Sequence, residues 1–131
     1  MSPAFRGGAV VYACDVERVT AFYAAVADLD VASSASDHVA LERDGYRITI
    51  VAIPDAIART ITIDDPPVRR EDAALKLSFA VSDIAAARAV AAAQGGVIDP
   101  PEREWEFRGE RMCDGHDPEG NVIQVSAVTT T

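Results

Sequence analysis

Apolar and polar residues alternate along some stretches of the chain and recur at helical spacing along others, and the order of these stretches predicts the architecture. Gly8 to Cys14 (GAVVYAC) is a short β-rich run. Asp15 follows where a helix N-cap belongs, its carboxylate placed to accept from the first free amides. Val16, Val19, Tyr23 and Val26 then recur every three or four residues, which predicts an amphipathic helix through VERVTAFYAAVADL. Strands are expected around Asp37 to Arg43 (DHVALER) and Tyr46 to Ile53 (YRITIVAI), joined by Asp44-Gly45, a strong hairpin signal. Pro54 to Asp72 is rich in proline, arginine and acid and reads as a connector with one short helical turn. Leu75 to Val81 (LKLSFAV) is a further strand, Asp83 a second N-cap, and Ile84 to Gln94 a second helix that Gly95-Gly96 stops. Val97 to Phe107 reads as a strand pair broken by Pro100-Pro101. Gly109 to Ser126 closes the chain as two strands about a tight turn. Pro118 presets one backbone angle of that turn, and Gly120 and Asn121 suit a positive φ.

This order repeats. VVYACDV lies over SFAVSDI when Asp15 is laid on Asp83, and strand, capped helix and strands follow in both halves. One β-α-β-β-β unit is a curved half-sheet with an open edge, and a second unit beside it, from the same chain or another, covers that edge. The expected fold is therefore α+β: paired β-α-β-β-β modules forming a curved mixed sheet, a half-barrel cleft, with the helices outside. The chain is expected to be one domain over residues 1–131, with module one about 8–53, a connector 54–74 and module two about 75–127. Ala9, Val11 and Ala13, and Leu75, Leu77, Phe79 and Val81, would pack on the helices. Gly8, Val10, Tyr12 and Cys14, and Lys76, Ser78 and Ala80, would line the concavity. On the last strand Ile123, Val125 and Ala127 form a uniformly apolar face, whereas Val122, Gln124 and Ser126 turn polar groups toward the pocket.

Composition narrows the function. At 131 residues, 49% hydrophobic and 25% charged, the chain can bury one proper core. Its net charge of −9 argues against nucleic acid and anionic membranes as partners. No apolar run approaches bilayer-crossing length and Met1 to Gly8 is no secretion signal, so a cytoplasmic location is expected. Cys14 and Cys113 lie far apart without a CxxC partner. They read as buried reduced thiols, with a disulfide or a reactive thiol as the alternative.

On CDVERVTAFYAAV, LKLSFAVSDI and above all DGHDPEGNVIQV, the chain resembles the vicinal oxygen chelate superfamily of glyoxalase, bleomycin-resistance and extradiol dioxygenase proteins. The resemblance covers nearly everything after the first seven residues. It implies the paired-module fold, commonly a homodimer, and in the family's enzymes a divalent metal held on the cleft floor by His or Glu from both modules. The matching positions here are Gly8, seven residues before Asp15; Lys76, seven before Asp83; and Gln124, seven after Asp117. Glycine offers no side-chain ligand, an ammonium repels a cation, and a glutamine carbonyl is a weak neutral donor. The resemblance therefore implies a cleft without the familiar metal, and no cofactor is expected. A displaced site stays open, since His38 and Glu42 share one strand face and Asp114 and His116 another. The bland reading is that such histidines cap turns or are solvated. No nucleophile–base–acid constellation, phosphate loop or nucleotide fingerprint occurs.

Two further features bear on the cleft. Lys76 is the one lysine beside eleven arginines. It either holds a ligand carboxylate, enolate or phenolate where relatives hold a metal, or pairs with an acid and snorkels outward. Trp105 and Phe107 share one strand face, as cleft wall or as core or interface filling. The expected function is metal-independent binding of an aromatic or amphipathic small molecule in a dimeric cleft. Gly8, Tyr12, Lys76, Ser78, Trp105 and Gln124 are its expected contacts. Whether the chain is an enzyme is left open, with the balance toward a binder. The enzyme alternative is an isomerase, lyase or dioxygenase that uses Lys76 or a displaced metal.

Overall fold

The computed structural model describes residues 5–129. Strand β1 (Gly7–Ala13), helix α1 (Val16–Val26) and strands β2 (Asp30–Ala35), β3 (His38–Arg43) and β4 (Tyr46–Ala52) form the first unit, and a one-turn helix α2 (Asp55–Ala58) opens the connector. The second unit is β5 (Leu77–Ala80), α3 (Ile84–Ala93), β6 (Val97–Ile98), a 3-10 turn at Pro101–Arg103, β7 (Trp105–Phe107), β8 (Glu110–His116) and β9 (Val122–Val128). The strands make two separately hydrogen-bonded sheets, ordered β1-β4-β3-β2 and β5-β9-β8-β6, with β7 also paired to β8. In each sheet the first strand runs parallel to the last and every other pair is antiparallel. This is the α+β fold of paired modules that the repeat predicts.

The local chemistry follows the sequence. Asp15 accepts from the Arg18 amide at 3.1 Å, and Asp83 from the Ala85 and Ala86 amides. Gly95 takes φ +85 at the end of α3, where a side chain would be strained. Asp44 and Gly45 both have positive φ, which matches the twist of the strands they join. Arg108-Gly109 repeats that turn between β7 and β8 without a strong sequence signal.

Several expectations change. Strand β2 (DVASSA) went unforeseen because all six of its residues are exposed and it carries no apolar alternation. β5 begins at Leu77, so Lys76 lies just before the strand rather than inside it, and Leu75, expected against a helix, is 85% exposed. In the last turn only Gly120 takes a positive φ; Asn121 does not. Of the two thiols, Cys113 is buried but Cys14 is exposed, and both are free.

One continuous apolar core joins the two units. Val19, Phe22, Tyr23 and Val26 of α1 are buried, and the Tyr23 ring meets Phe79 of β5 at 5.8 Å between centroids. Phe79 also meets Tyr46 of β4, edge-on at 6.0 Å. The tightest link is polar. The Tyr23 hydroxyl donates to Asp117 Oδ2 at 2.7 Å, and the Glu119 carboxylate accepts from the backbone amides of Cys14 and Asp15 at 2.9 and 2.7 Å. The last turn thus reaches across to the junction of β1 and α1.

Tyr23→Phe deletes one donor to a carboxylate that has no access to water. The expected loss is about 1–3 kcal/mol of unfolding free energy, measured by urea denaturation with an unchanged m-value. A loss of a few tenths would remove this bond from the junction.

Candidate functional site

Alternation divides each sheet into a face that packs on the helices and an open face. On β1, Gly8, Val10 and Tyr12 are exposed, as is Cys14 just after it, while Val11 and Ala13 are buried. On β5, Ser78 and Ala80 are exposed while Phe79 is buried. Register then fixes each row of the second sheet's open face. Ser78 stands beside Gln124 and Gln124 opposite Asp114; Ala80 stands beside Ser126, Ser126 opposite Met112, and Met112 opposite Trp105.

A polar network crosses this face. Lys76 Nζ donates to both carboxylate oxygens of Asp114, at 2.9 and 3.1 Å. Gln124 Nε2 approaches the same carboxylate at 3.5 Å, and its Oε1 lies 3.5 Å from Ser78 Oγ. The Lys76 side chain is 44% exposed, so the pair is open to solvent and contributes little to folding. Sequence reasoning brings Lys76, Ser78 and Gln124 to one face but misses Asp114 as the acid that joins them. Asp114 was considered only as half of a chelating pair with His116.

Arg69 was missed altogether. It comes from the connector, and its guanidinium grips Asp99 through two nitrogens at 2.6 and 3.0 Å while Nε donates to His116 Nδ1 at 2.9 Å. The hydrogen bond from Arg69 holds the Asp99 carboxyl below its usual range. Burial, and then the adjacent guanidinium, pushes the His116 imidazole below its ordinary value. A neutral ring with Nδ1 as acceptor fits both facts. His116 is therefore neither a turn cap nor a solvated strand end but a buried acceptor. An arginine within PPVRRED gives no sign in sequence of where it will point.

Beside this network Trp105 and Phe107 stand on one face of β7, 38% and 54% exposed. Behind them Glu104 takes Arg88 of α3 at 2.5 Å and Arg111 of β8 at 3.2 Å, which ties the short strand to the scaffold. On the first sheet Val10 and Tyr12 are 59% and 62% exposed. Glu42 pairs with Arg47 at 2.8 Å, the Phe5 ring lies 4.4 Å from the Arg47 guanidinium carbon, and His38 Nδ1 contacts Asp37 at 2.9 Å.

The donors at the matched positions do not fit a divalent cation. A Cβ on Gly8 would lie 1.9 Å from the Arg47 carbonyl oxygen, so β1 approaches β4 too closely for any side chain there. Lys76 brings a positive charge, and Asp114, the nearest carboxylate, already holds that ammonium. His38, Glu42 and His116 have separate partners in Asp37, Arg47 and Arg69. Among the described residues no three His, Cys, Asp or Glu side chains are grouped for a metal.

Among the described residues, no helix is long and apolar enough to cross a membrane. The glyoxalase-like domain family matches residues 8–126. In fold, the chain is similar to a glyoxalase/bleomycin resistance protein from Albidiferax ferrireducens T118, with TM-score 0.66, 19% identity, and 96% of this chain and 100% of that one covered. It is also similar to a glyoxalase/bleomycin resistance protein/dioxygenase family enzyme from Burkholderia phytofirmans PsJN, with TM-score 0.66, 18% identity, and 93% and 97% covered. The fosfomycin resistance protein FosX from Listeria monocytogenes matches with TM-score 0.62, 16% identity, and 95% and 90% covered. No curated protein matches in sequence. With the family pattern spanning both modules and both sheets built as its fold requires, the chain belongs to the glyoxalase-like domain family.

Proposed function

We propose that this protein binds an aromatic or amphipathic small molecule on the open faces of its two sheets without a divalent metal, acting as a cytoplasmic homodimer. Gly8, Tyr12, Lys76, Ser78, Trp105 and Gln124 are the proposed contacts. The observation that carries the reading is the Lys76–Asp114–Gln124–Ser78 network at the positions where a metal would need anionic and imidazole donors. An ammonium that is itself nearly half exposed can exchange its carboxylate partner for a ligand carboxylate or phenolate at small cost, because both ions remain partly hydrated. The Trp105 and Phe107 rings beside it supply apolar, stackable area. Open outer edges on β1 and β5, with exposed Val10, Tyr12 and Val128, support a second copy beside the cleft. Resistance proteins among the similar folds support a bound drug-like molecule as the ligand class.

Three measurements test this. Elemental analysis of protein purified without chelator is expected to find far less than one zinc, manganese or iron per chain; one equivalent would overturn the metal-free reading. Lys76→Ala is expected to leave the melting temperature unchanged. It should weaken anilinonaphthalene sulfonate, an aromatic anion, by about 1.5–3 kcal/mol if a charge-assisted hydrogen bond is lost. Equal affinity would take Lys76 out of the site. Trp105→Ala should cost more in affinity for the same dye than in melting temperature, and the reverse order would assign the ring to an interface.

A further inference from the structure

The two modules are alike in fold but unlike at their seams, and the difference leaves a groove between them that Ser78 and Ala80 of β5 also border. At one seam the five-residue turn Asp117–Asn121 fills the junction of β1 and α1, with Glu119 seated on the Cys14 and Asp15 amides. By the internal repeat, Cys14 and Asp15 correspond to Ser82 and Asp83 at the junction of β5 and α3. There the corresponding turn is only Asp44-Gly45, two residues between the pairs Arg43↔Tyr46 that end the strands. It carries no counterpart of Glu119. Among the described residues, neither the Ser82 nor the Asp83 backbone N–H has a protein acceptor.

The helices differ in the same sense. Val19, Phe22 and Tyr23 of α1 correspond to Ala87, Val90 and Ala91 of α3, so each position is smaller in the second module. Beside Ala87 and Val90 runs a groove of about 530 Å³ with Ser82, Asp83 and Asp44 along it and an apolar floor of Leu29, Tyr46, Phe79, Ala87 and Val90.

We propose that this groove binds a small molecule with a carboxylate head and an apolar body. The head takes the place at Ser82 and Asp83 that Glu119 takes at Cys14 and Asp15, and the body lies along Ala87 and Val90, which stand where α1 has Val19 and Phe22. Asp28, Asp44 and Asp83 border the groove and oppose an anion, and Arg43, the cation along it, is already paired with Asp28 and Asp30. Asp15 stands next to the amides that hold Glu119 in the same way, so a capping acid does not exclude a carboxylate there. The two free amides and the N-terminal dipole of α3 favour it.

Octanoate titrated into the full chain tests the proposal, followed by amide proton–nitrogen NMR. The Ser82 and Asp83 resonances are expected to shift saturably. Octanol, with the same tail and no charge, should bind about tenfold or more weakly because charge-assisted hydrogen bonds are lost. Val90→Phe restores the α1 residue at the matching position and should abolish the octanoate shifts with the melting temperature held or raised. Equal binding of octanol, shifts confined to Lys76, Trp105 and Gln124, or wild-type octanoate binding by Val90→Phe would each overturn the proposal. Dissociation of a dimer by Val90→Phe, without octanoate shifts in the parent, would give the groove to a second copy instead. If Val90→Phe does not fold, the comparison of octanoate with octanol decides alone. The Ser82 and Asp83 shifts are followed separately from any at Lys76, Trp105 and Gln124, which separates this groove from the proposed cleft.

Discussion

Two carboxylates buried in one turn hold the molecule in its shape. Asp117 is fully buried and Glu119 nearly so, and a buried anion is tolerated only when donors surround it. Asp117 receives the Glu119 and Asn121 amides and the Asn121 side chain from its own turn, and the Tyr23 hydroxyl from the other module. Burial, and then Asp117 itself, pushes the Tyr23 phenol well above its ordinary pKa, which keeps it a donor. Glu119 draws its donors entirely from the first module. Because these bonds have direction, they fix the angle between modules in a way that the apolar contacts among Tyr23, Tyr46 and Phe79 do not.

That fixed angle leaves the open faces with distinct chemistry. Three of the second sheet's strands and the connector bring two cations, two carboxylates, an amide and a hydroxyl to one surface. The cations are already matched by acids: Arg69 by Asp99 with both side chains about four-fifths buried, Lys76 by Asp114 with the lysine nearly half exposed. The two pairs therefore have different roles. Arg69–Asp99 is bidentate and shielded, and it anchors the connector onto β6 and β8. Lys76–Asp114 is the more exposed of the two.

Most of the fold was legible in the sequence because its signals are local. The N-cap acids, Asp44-Gly45, Gly95 and the alternation on β1, β5 and β9 each state a backbone requirement within a few residues. What was not legible lacks such a signal. β2 is a wholly exposed strand held by pairing to β3, so no hydrophobic pattern marks it. Asp117 and Glu119 read as turn residues, since DPEGN satisfies turn chemistry whether or not its acids are buried. For the site, strand periodicity places Lys76, Ser78 and Gln124 together. It has no means of bringing Arg69 in from a proline-rich connector forty-seven residues away from His116. Gly8 was legible as a missing ligand but not as a steric necessity, which depends on how closely β1 runs to Arg47.

The Gly8 contact bears on how the proposed chemistry arose. Were Gly8 merely a lost histidine, restoring the imidazole would rebuild one corner of a metal site. With the Arg47 carbonyl in the way, a side chain at position 8 must first part β1 from β4, at the cost of ladder hydrogen bonds beside Ile48 and Ile50, both fully buried. The backbone at Gly8 and the Lys76 charge oppose a cation through independent physical terms, and the Asp114 carboxylate that would attract one is already paired with Lys76. In the binding role proposed above, a site so arranged favours ligands whose own charge is negative and whose bulk is apolar, because the ammonium can reorient toward them while Trp105 and Phe107 offer apolar area.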